Sequence, residues 1–469
     1  MMALMMATGL MALDATVLAT AVPSVVADLG EFHQFPWLFS VYLLAQAVSV
    51  PVYSKLADTI GRKPVLMFGV VLFGVASVLA MAAWNMTALI VFRVLQGLGA
   101  GAIGPITMTV VGDLYTVTER PKAQGYIASV WALSSVIGPA LGGLFAQYAS
   151  WRLIFAVNIP LVLVAIWALG RFYHEDVHRR RHRIDYLGTV VLTVGLTAVI
   201  LALLEGGSAW EWTSWQSIAS FAVGIIALAI FPAVERRAAE PVLDVAILRR
   251  RLIGTTTVVS LAVGALMTGV TSFVPTYLVS AAGETPVVSG VAIAALTLGW
   301  PLASSISGRI YLRHGFRATV VLGASIAVLG AFGLLATGPW PSPWTVAVVC
   351  FVIGFGLGWT AVPSLVAAQA SVDWHERGLV TGSNMLARSV GSAVGVAVYG
   401  AIANNLIVAG GGVENRDGVV TAFIWVFGAV AVSAVLTMLA ALRMPHGAVD
   451  SDAYAVSTVE PEPTPANPR

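Results

Sequence analysis

Two residues of opposite charge stand where charge is most costly. Asp14 lies near the middle of the first apolar run of the chain, and Arg93 near the middle of the fourth. A carboxylate at mid-membrane depth costs roughly 2.5–3.5 kcal/mol or more unless it meets water or a partner. Protonation removes that cost, so Asp14 is suited to taking up and releasing a proton; a structural hydrogen bond to Thr16 or the backbone is the plainer alternative. Arginine cannot shed its charge, so Arg93 needs an anion or several carbonyls. Arg388, inside the thirteenth run, invites the same argument: it meets a substrate or a carboxylate, or snorkels to an interface.

Other chemistry is thin. His174, His178 and His182 recur every fourth residue, which a helix would align, but Arg179, Arg180, Arg181 and Arg183 would repel a cation, and no metal site is expected. The single cysteine, Cys350, excludes a disulfide framework and a thiolate metal centre. No nucleophile triad, HExxH or phosphate-binding glycine loop is present, so neither an enzyme nor an ATP-driven machine is expected, and no cofactor.

The elements that must position these residues follow from composition. Of 469 residues 58% are hydrophobic and 10% charged, with a mean hydropathy of +0.87. A soluble domain needs about a quarter of its residues charged, so lipid must replace water over most of the surface. About 20 apolar residues cross a 30 Å hydrocarbon core as a helix. Fourteen such runs are legible, from 2–27 to 418–442, and they predict an all-α polytopic membrane protein. The chain opens directly in an apolar run with no basic lead, which is not the pattern of a cleavable signal peptide.

Charge supports the count. If the amino terminus is cytoplasmic, alternate loops and the tail hold 21 of the 25 basic residues, against two (Arg152 and Arg416) in the opposite loops. That asymmetry predicts both termini inside a bacterial cytoplasmic membrane. The basic residues form short clusters between spans, which gives no footprint for nucleic acid.

The chain also repeats itself. Six glycine pairs share an offset of 257, among them Gly97 with Gly354, Gly138 with Gly395 and Gly143 with Gly400; the loop around Gly61 returns near Gly315 at an offset of 254. Two parallel six-span halves are expected, 1–170 and 252–442, separated by a linker with two extra spans over 171–251. The Pro- and acid-rich tail, 443–469, cannot bury a core and is expected to be disordered.

Five motifs add an identity. SKLADTIGRKPVL (Ser54–Leu66), LDATVLATAVP (Leu13–Pro23), RVLQGLGAGA (Arg93–Ala102), GPALGG (Gly138–Gly143) and WRLIFAVNIPL (Trp151–Leu161) occur in order. Together they resemble the major facilitator superfamily, in its fourteen-span drug:proton antiporter branch. Ser54 replaces the usual first glycine of the loop signature, Thr59 a frequent arginine, and Leu312 leaves the second-half copy without its aspartate.

The resemblance implies the major facilitator fold of two six-helix bundles, and a role for Arg93 in proton transfer, by shifting a neighbouring carboxylate or ordering water. It implies a charge latch at the membrane edge, in which Asp58 caps a neighbouring helix while Arg62, after Gly61, reaches Asp113. Gly138, Pro139, Gly142 and Gly143 would pack and kink helix five, sealing a proton leak. Gln46, Trp131, Phe273, Tyr277, Trp300, Asn384 and Arg388 are candidates to line an amphipathic substrate cavity. The expected activity is proton-driven efflux of small lipophilic solutes, cationic ones among them, by a monomer using alternating access. Export of an endogenous lipid, siderophore or secondary metabolite is the neighbouring reading; a multispan membrane enzyme is the reading from another class.

Overall fold

The computed structural model describes residues 1–114, 120–173, 175, 185–207, 209–238, 241, 243, 245–339, 342–372, 377–412 and 415–445. The expected histidine cluster and most of the expected tail lie outside them. Fourteen long helices account for nearly all of this: α1 (Met2–Leu29), α2 (Phe35–Ile60), α3 (Arg62–Met81), α4 (Met86–Leu114), α5 (Arg120–Tyr148), α6 (Asn158–Phe172), α7 (Tyr186–Glu205) and α8 (Trp215–Glu235). They continue with α9 (Arg251–Ser280), α10 (Pro286–His314), α11 (Phe316–Thr337), α12 (Pro343–Ala370), α13 (Arg377–Ala409) and α14 (Arg416–Leu442).

Helix is the form this composition must take, because lipid offers no partner for an unpaired peptide group. Thirteen of the helices are long and apolar enough to cross a membrane among the described residues. α5, 29 residues long, has the length as well. Polar caps mark where spans begin: Asp185, Ser214, Thr285 and Asn415 accept from the backbone of α7, α8, α10 and α14. Large apolar side chains left exposed on α3, α6, α8, α11 and α14, such as Phe68, Trp167, Ile225, Leu329 and Leu436, form the lipid-facing belt.

The two halves repeat each other in space. α1 packs on α5 and α6 as α9 packs on α13 and α14; α4 sits between α2 and α3 as α12 sits between α10 and α11. The repeated glycines explain the repeated packing. A side chain at Gly97 would strike the carbonyl of Tyr42, and one at Gly354 the carbonyl of Leu296, 254 residues on. Gly99 and Gly356 meet Gly69 and Gly323 in the same way. These are close backbone approaches, which small residues permit.

Call the side bearing the α2–α3 and α10–α11 connections the basic face. On the far face the halves are joined. α5 meets α10 where Gly143 abuts Val287, and α13 meets α2 where Gly400 abuts Pro36. Asn404 donates to the His33 carbonyl (2.6 Å) and Ser40 to that of Ala393 (3.2 Å). The rings of Phe35 and Phe273 pack edge to face at 5.3 Å. One apolar cluster runs through both halves here. Toward the basic face the clusters are separate, one around Leu66, Val70 and Ile103 and others around Phe316, Val320 and Val380. The molecule is closed at the far face, and its halves part toward the basic face.

The inserted pair is less peripheral than its place in the sequence suggests. α7 lies over the α2–α13 seam, with Leu192, Leu196 and Ile200 against Leu44, Val48, Leu386 and Ala397. Trp37 of α2 donates to Glu205 (2.8 Å), and Asn405 of α13 to the Gly206 carbonyl (3.2 Å). Only α8 is a true edge helix.

Candidate functional site

Helical spacing on α4 puts Arg93 and Gln96 on one face, three residues apart. That face meets α1 at Asp14. Arg93 Nη1 donates to Asp14 Oδ2 at 2.6 Å, with Arg93 1% and Asp14 4% exposed. The same nitrogen donates to Gln96 Oε1 (2.9 Å), and Arg93 Nε to the Leu38 carbonyl of α2 (3.1 Å). The guanidinium lies 4.1 Å from the centre of the Tyr42 ring.

Two amides close the network from behind. Gln96 Nε2 donates to Asp14 Oδ1 (3.3 Å) and Ser77 Oγ (2.9 Å); Asn158 Nδ2 of α6 donates to the same two atoms at 3.3 and 3.2 Å. Ser77 Oγ in turn donates to the Phe73 carbonyl (2.8 Å). Five helices of the first half thus contribute to one buried network around Asp14 and Arg93.

Of the two conditions that burial allows Asp14, water or a partner, the structure supplies the partner: the charge of Arg93 and two amide donors offset its burial. Such a pair is weak evidence for stability, but removing one partner strands the other at about 3–5 kcal/mol. Gln96, Ser77, Tyr42 and Asn158 were missed in the sequence. Gln96 and Asn158 carried a signal, as amides inside the apolar segments RVLQGLGAGA and WRLIFAVNIPL.

α5 fastens to α1 beside this network. Thr16 Oγ1 donates to the Ser134 carbonyl (3.0 Å) and Thr20 Oγ1 to that of Pro139 (3.3 Å). Side chains at Gly138 or Gly142 would collide with Thr16 and Thr20, and one at Gly143 with α10. Gly290 of α10 approaches the Pro139 carbonyl in turn. The four motif residues therefore seat α5 between Asp14's helix and the other half of the molecule.

At the basic face, Gly61 joins α2 to α3 with φ 109°, and Gly315 joins α10 to α11 with φ 85°, a conformation that favours glycine. The amides of Arg62 and Lys63 donate to Glu175 Oε1 (2.7 Å) and Oε2 (2.8 Å). The start of α3 is thus capped by Glu175, a residue that sequence analysis did not single out. Asp58 and Asp113 fall in the last turns of α2 and α4, and their side chains lie outside the described residues, as does the expected contact of Arg62 with Asp113.

The cavity candidates divide. Phe273 and Tyr277 are fully buried and line no open space: Phe273 packs between Phe35 and Tyr399, and Tyr277 donates to the Gly338 carbonyl at 2.8 Å. Their aromatic character serves the far-face closure. Asn384 is buried too, accepting from Ser260 of α9 at 2.6 Å. Gln46 and Trp300 are half-buried at repeat-related positions of α2 and α10. Trp131 on α5 and Arg388 on α13 are exposed.

The model of one family, described as Major Facilitator Superfamily, matches residues 4–185 and 166–396. The chain belongs to the Major Facilitator Superfamily. Multidrug resistance protein 3 of Bacillus subtilis (strain 168) is 31% identical over 395 residues, 84% of this chain and 77% of that protein. Multidrug transporter protein MdtP of the same organism is 33% identical over 394 residues, 84% of this chain and 73% of its own length. A crystal structure of the peptide transporter POT in complex with sulfate superposes with a TM-score of 0.66 over 94% of both chains; at 17% identity it speaks for the fold alone. This superfamily member is a multi-pass membrane protein with the major facilitator fold, and members of the superfamily carry small molecules.

Proposed function

We propose that this superfamily member exports small lipophilic molecules across a bacterial cytoplasmic membrane in exchange for protons, as a monomer and without a cofactor. Its relatives named for multidrug resistance and transport support the direction and breadth of the activity. The distribution of basic residues supports placing the basic face and both termini in the cytoplasm. On that orientation the conformation described above is inward-facing.

The observation that carries the reading is the Asp14–Arg93 pair, 2.6 Å apart and sealed inside the first half. When a proton neutralises Asp14, the attraction holding α1 to α4 is lost, while Arg93 keeps Gln96, the Leu38 carbonyl and the Tyr42 ring. α1 is then free to shift against α4. Thr16, Thr20 and the small residues of α5 transmit that shift to α10 across the seam between halves. The proton thereby biases a two-state element, the far-face closure, which is what coupling requires. The charge latch at Asp58, Arg62 and Asp113 would hold the basic face shut in the opposite state.

The test is dye uptake into inverted vesicles, the equivalent of export from the cell, under an imposed pH gradient. Asp14→Asn should abolish gradient-driven export of a dye that wild type moves, while solute exchange without a gradient continues. Gradient-driven export at the wild-type rate in that variant would sink the assignment.

A further inference from the structure

Arg388 lies eleven residues into α13, about 16 Å along its axis from the basic face at 1.5 Å per residue. Its side chain is exposed although it lies deep among protein atoms, as a residue facing an internal space would. Three observations locate that space. Leu386, Ala393 and Ala397 form the stripe of α13 that packs on α2 and α7, and Arg388 stands roughly opposite it at about 100° per residue. Asn384 and Ser392, a turn before and after, bond to Ser260 and Thr268 of α9. The repeat offset of 257 pairs Arg388 with Trp131, which is exposed at the matching place on α5. α5 and α13 thus hold these two side chains at repeat-related depths, on the side where the halves part.

Among the described residues Arg388 makes no hydrogen bond, ion pair or ring contact, so its five N–H donors are unspent there. Nor is its charge balanced from a distance. The other charges deep in the described spans, Asp14 and Arg93, neutralise each other in a closed network. An arginine keeps its charge at any accessible pH, and its planar fork matches the two oxygens of a carboxylate, sulfonate or phosphate.

Resting on the export reading, we infer that Arg388 is the recognition residue for an anionic group on the transported molecule. The substrate class is then a lipophilic anion, with its charged end on α13 and its apolar body toward Trp131. This reverses the charge expected from the aromatic residues alone.

Fluorescein and rhodamine 6G share a xanthene ring and differ in sign of charge, which makes them matched probes. Binding to the purified full-length protein, read by fluorescence polarisation, needs no gradient and so stands apart from the coupling test. Wild type should bind fluorescein at least tenfold more tightly than rhodamine 6G. Arg388→Gln should weaken fluorescein about tenfold and leave rhodamine 6G within about twofold, whereas Arg388→Lys keeps most of the fluorescein affinity. The same order should appear in vesicle export. Equal loss of both dyes, unchanged fluorescein binding in Arg388→Gln, no fluorescein binding by wild type, or tighter binding of the cation would each overturn the inference. Failed export with intact, Arg388-dependent binding would instead overturn the export reading.

Discussion

The first half of the molecule buries a charged network where the second half buries hydrocarbon. Carried across by the repeat offsets, Arg93 becomes Cys350, Gln96 becomes Ile353, Ser77 becomes Ala331 and Tyr42 becomes Leu296. The glycine contacts that place Thr16 opposite Ala265 carry Asp14 onto Val263. All five replacements are buried in the shared apolar cluster. The backbone scaffold is the same, down to the glycines on which α4 and α12 cross their neighbours. Duplication therefore supplied the bundle, and the buried ion pair was placed in one copy. A membrane bundle holds its shape with apolar packing and close backbone contacts, so the polar site is an addition to the scaffold and not a condition of it.

The most severe break of this comparison is Arg93→Met, which leaves Asp14 buried without its counter-ion. It should destabilise the purified protein by about 3–5 kcal/mol, seen as a lowered thermal midpoint, and abolish gradient-driven export. The double variant Asp14→Asn with Arg93→Met should recover most of the stability and none of the coupling. If the single variant melts like wild type, the pair does not hold α1 to α4.

Next in size come the matched glycines. Gly97→Ala and Gly354→Ala each push a methyl into a facing carbonyl, and should cost about 1–3 kcal/mol apiece, nearly equal in denaturation midpoint. A large inequality would mean that the two halves are not mechanically alike. Gly143→Ala and Gly400→Ala act where the halves meet. They should cost a similar about 1–3 kcal/mol but direct it at the far-face closure, raising hydrogen exchange in α2, α5, α10 and α13 ahead of global unfolding.

The smallest effect belongs to Cys350→Ala, the counterpart of Arg93. Loss of one buried sulfur should cost about 1 kcal/mol and leave gradient-driven export within about twofold. A loss of coupling there would show that the second half also takes part in proton transfer.

Much of this was legible beforehand because lipid imposes strong rules on sequence. Helix number follows from apolar run length, and the duplication from glycines whose spacing survives when other residues change. Asp14 and Arg93 could be singled out one at a time, since a charge inside an apolar run is visible without knowing its neighbours. Their being 2.6 Å apart could not. Aromatic residues misled for a related reason: Phe273 and Tyr277 are as suited to sealing a far-face seam as to lining a cavity, and composition does not separate the two.

By itself, then, the sequence determined the solvent of this protein, its helices, its internal repeat and the few residues at which burial demands an explanation. Each of those depends on one side chain or on a spacing along one chain. Tertiary structure alone decided the partners: that Gln96 and Asn158 complete the Asp14 site, that Glu175 caps α3, that α7 straddles the seam between halves, and that Arg388 is left unpaired among the described residues. Pairing depends on which helices are neighbours and how each is rotated, and a bundle of fourteen near-uniformly apolar helices writes little of that into any one of them.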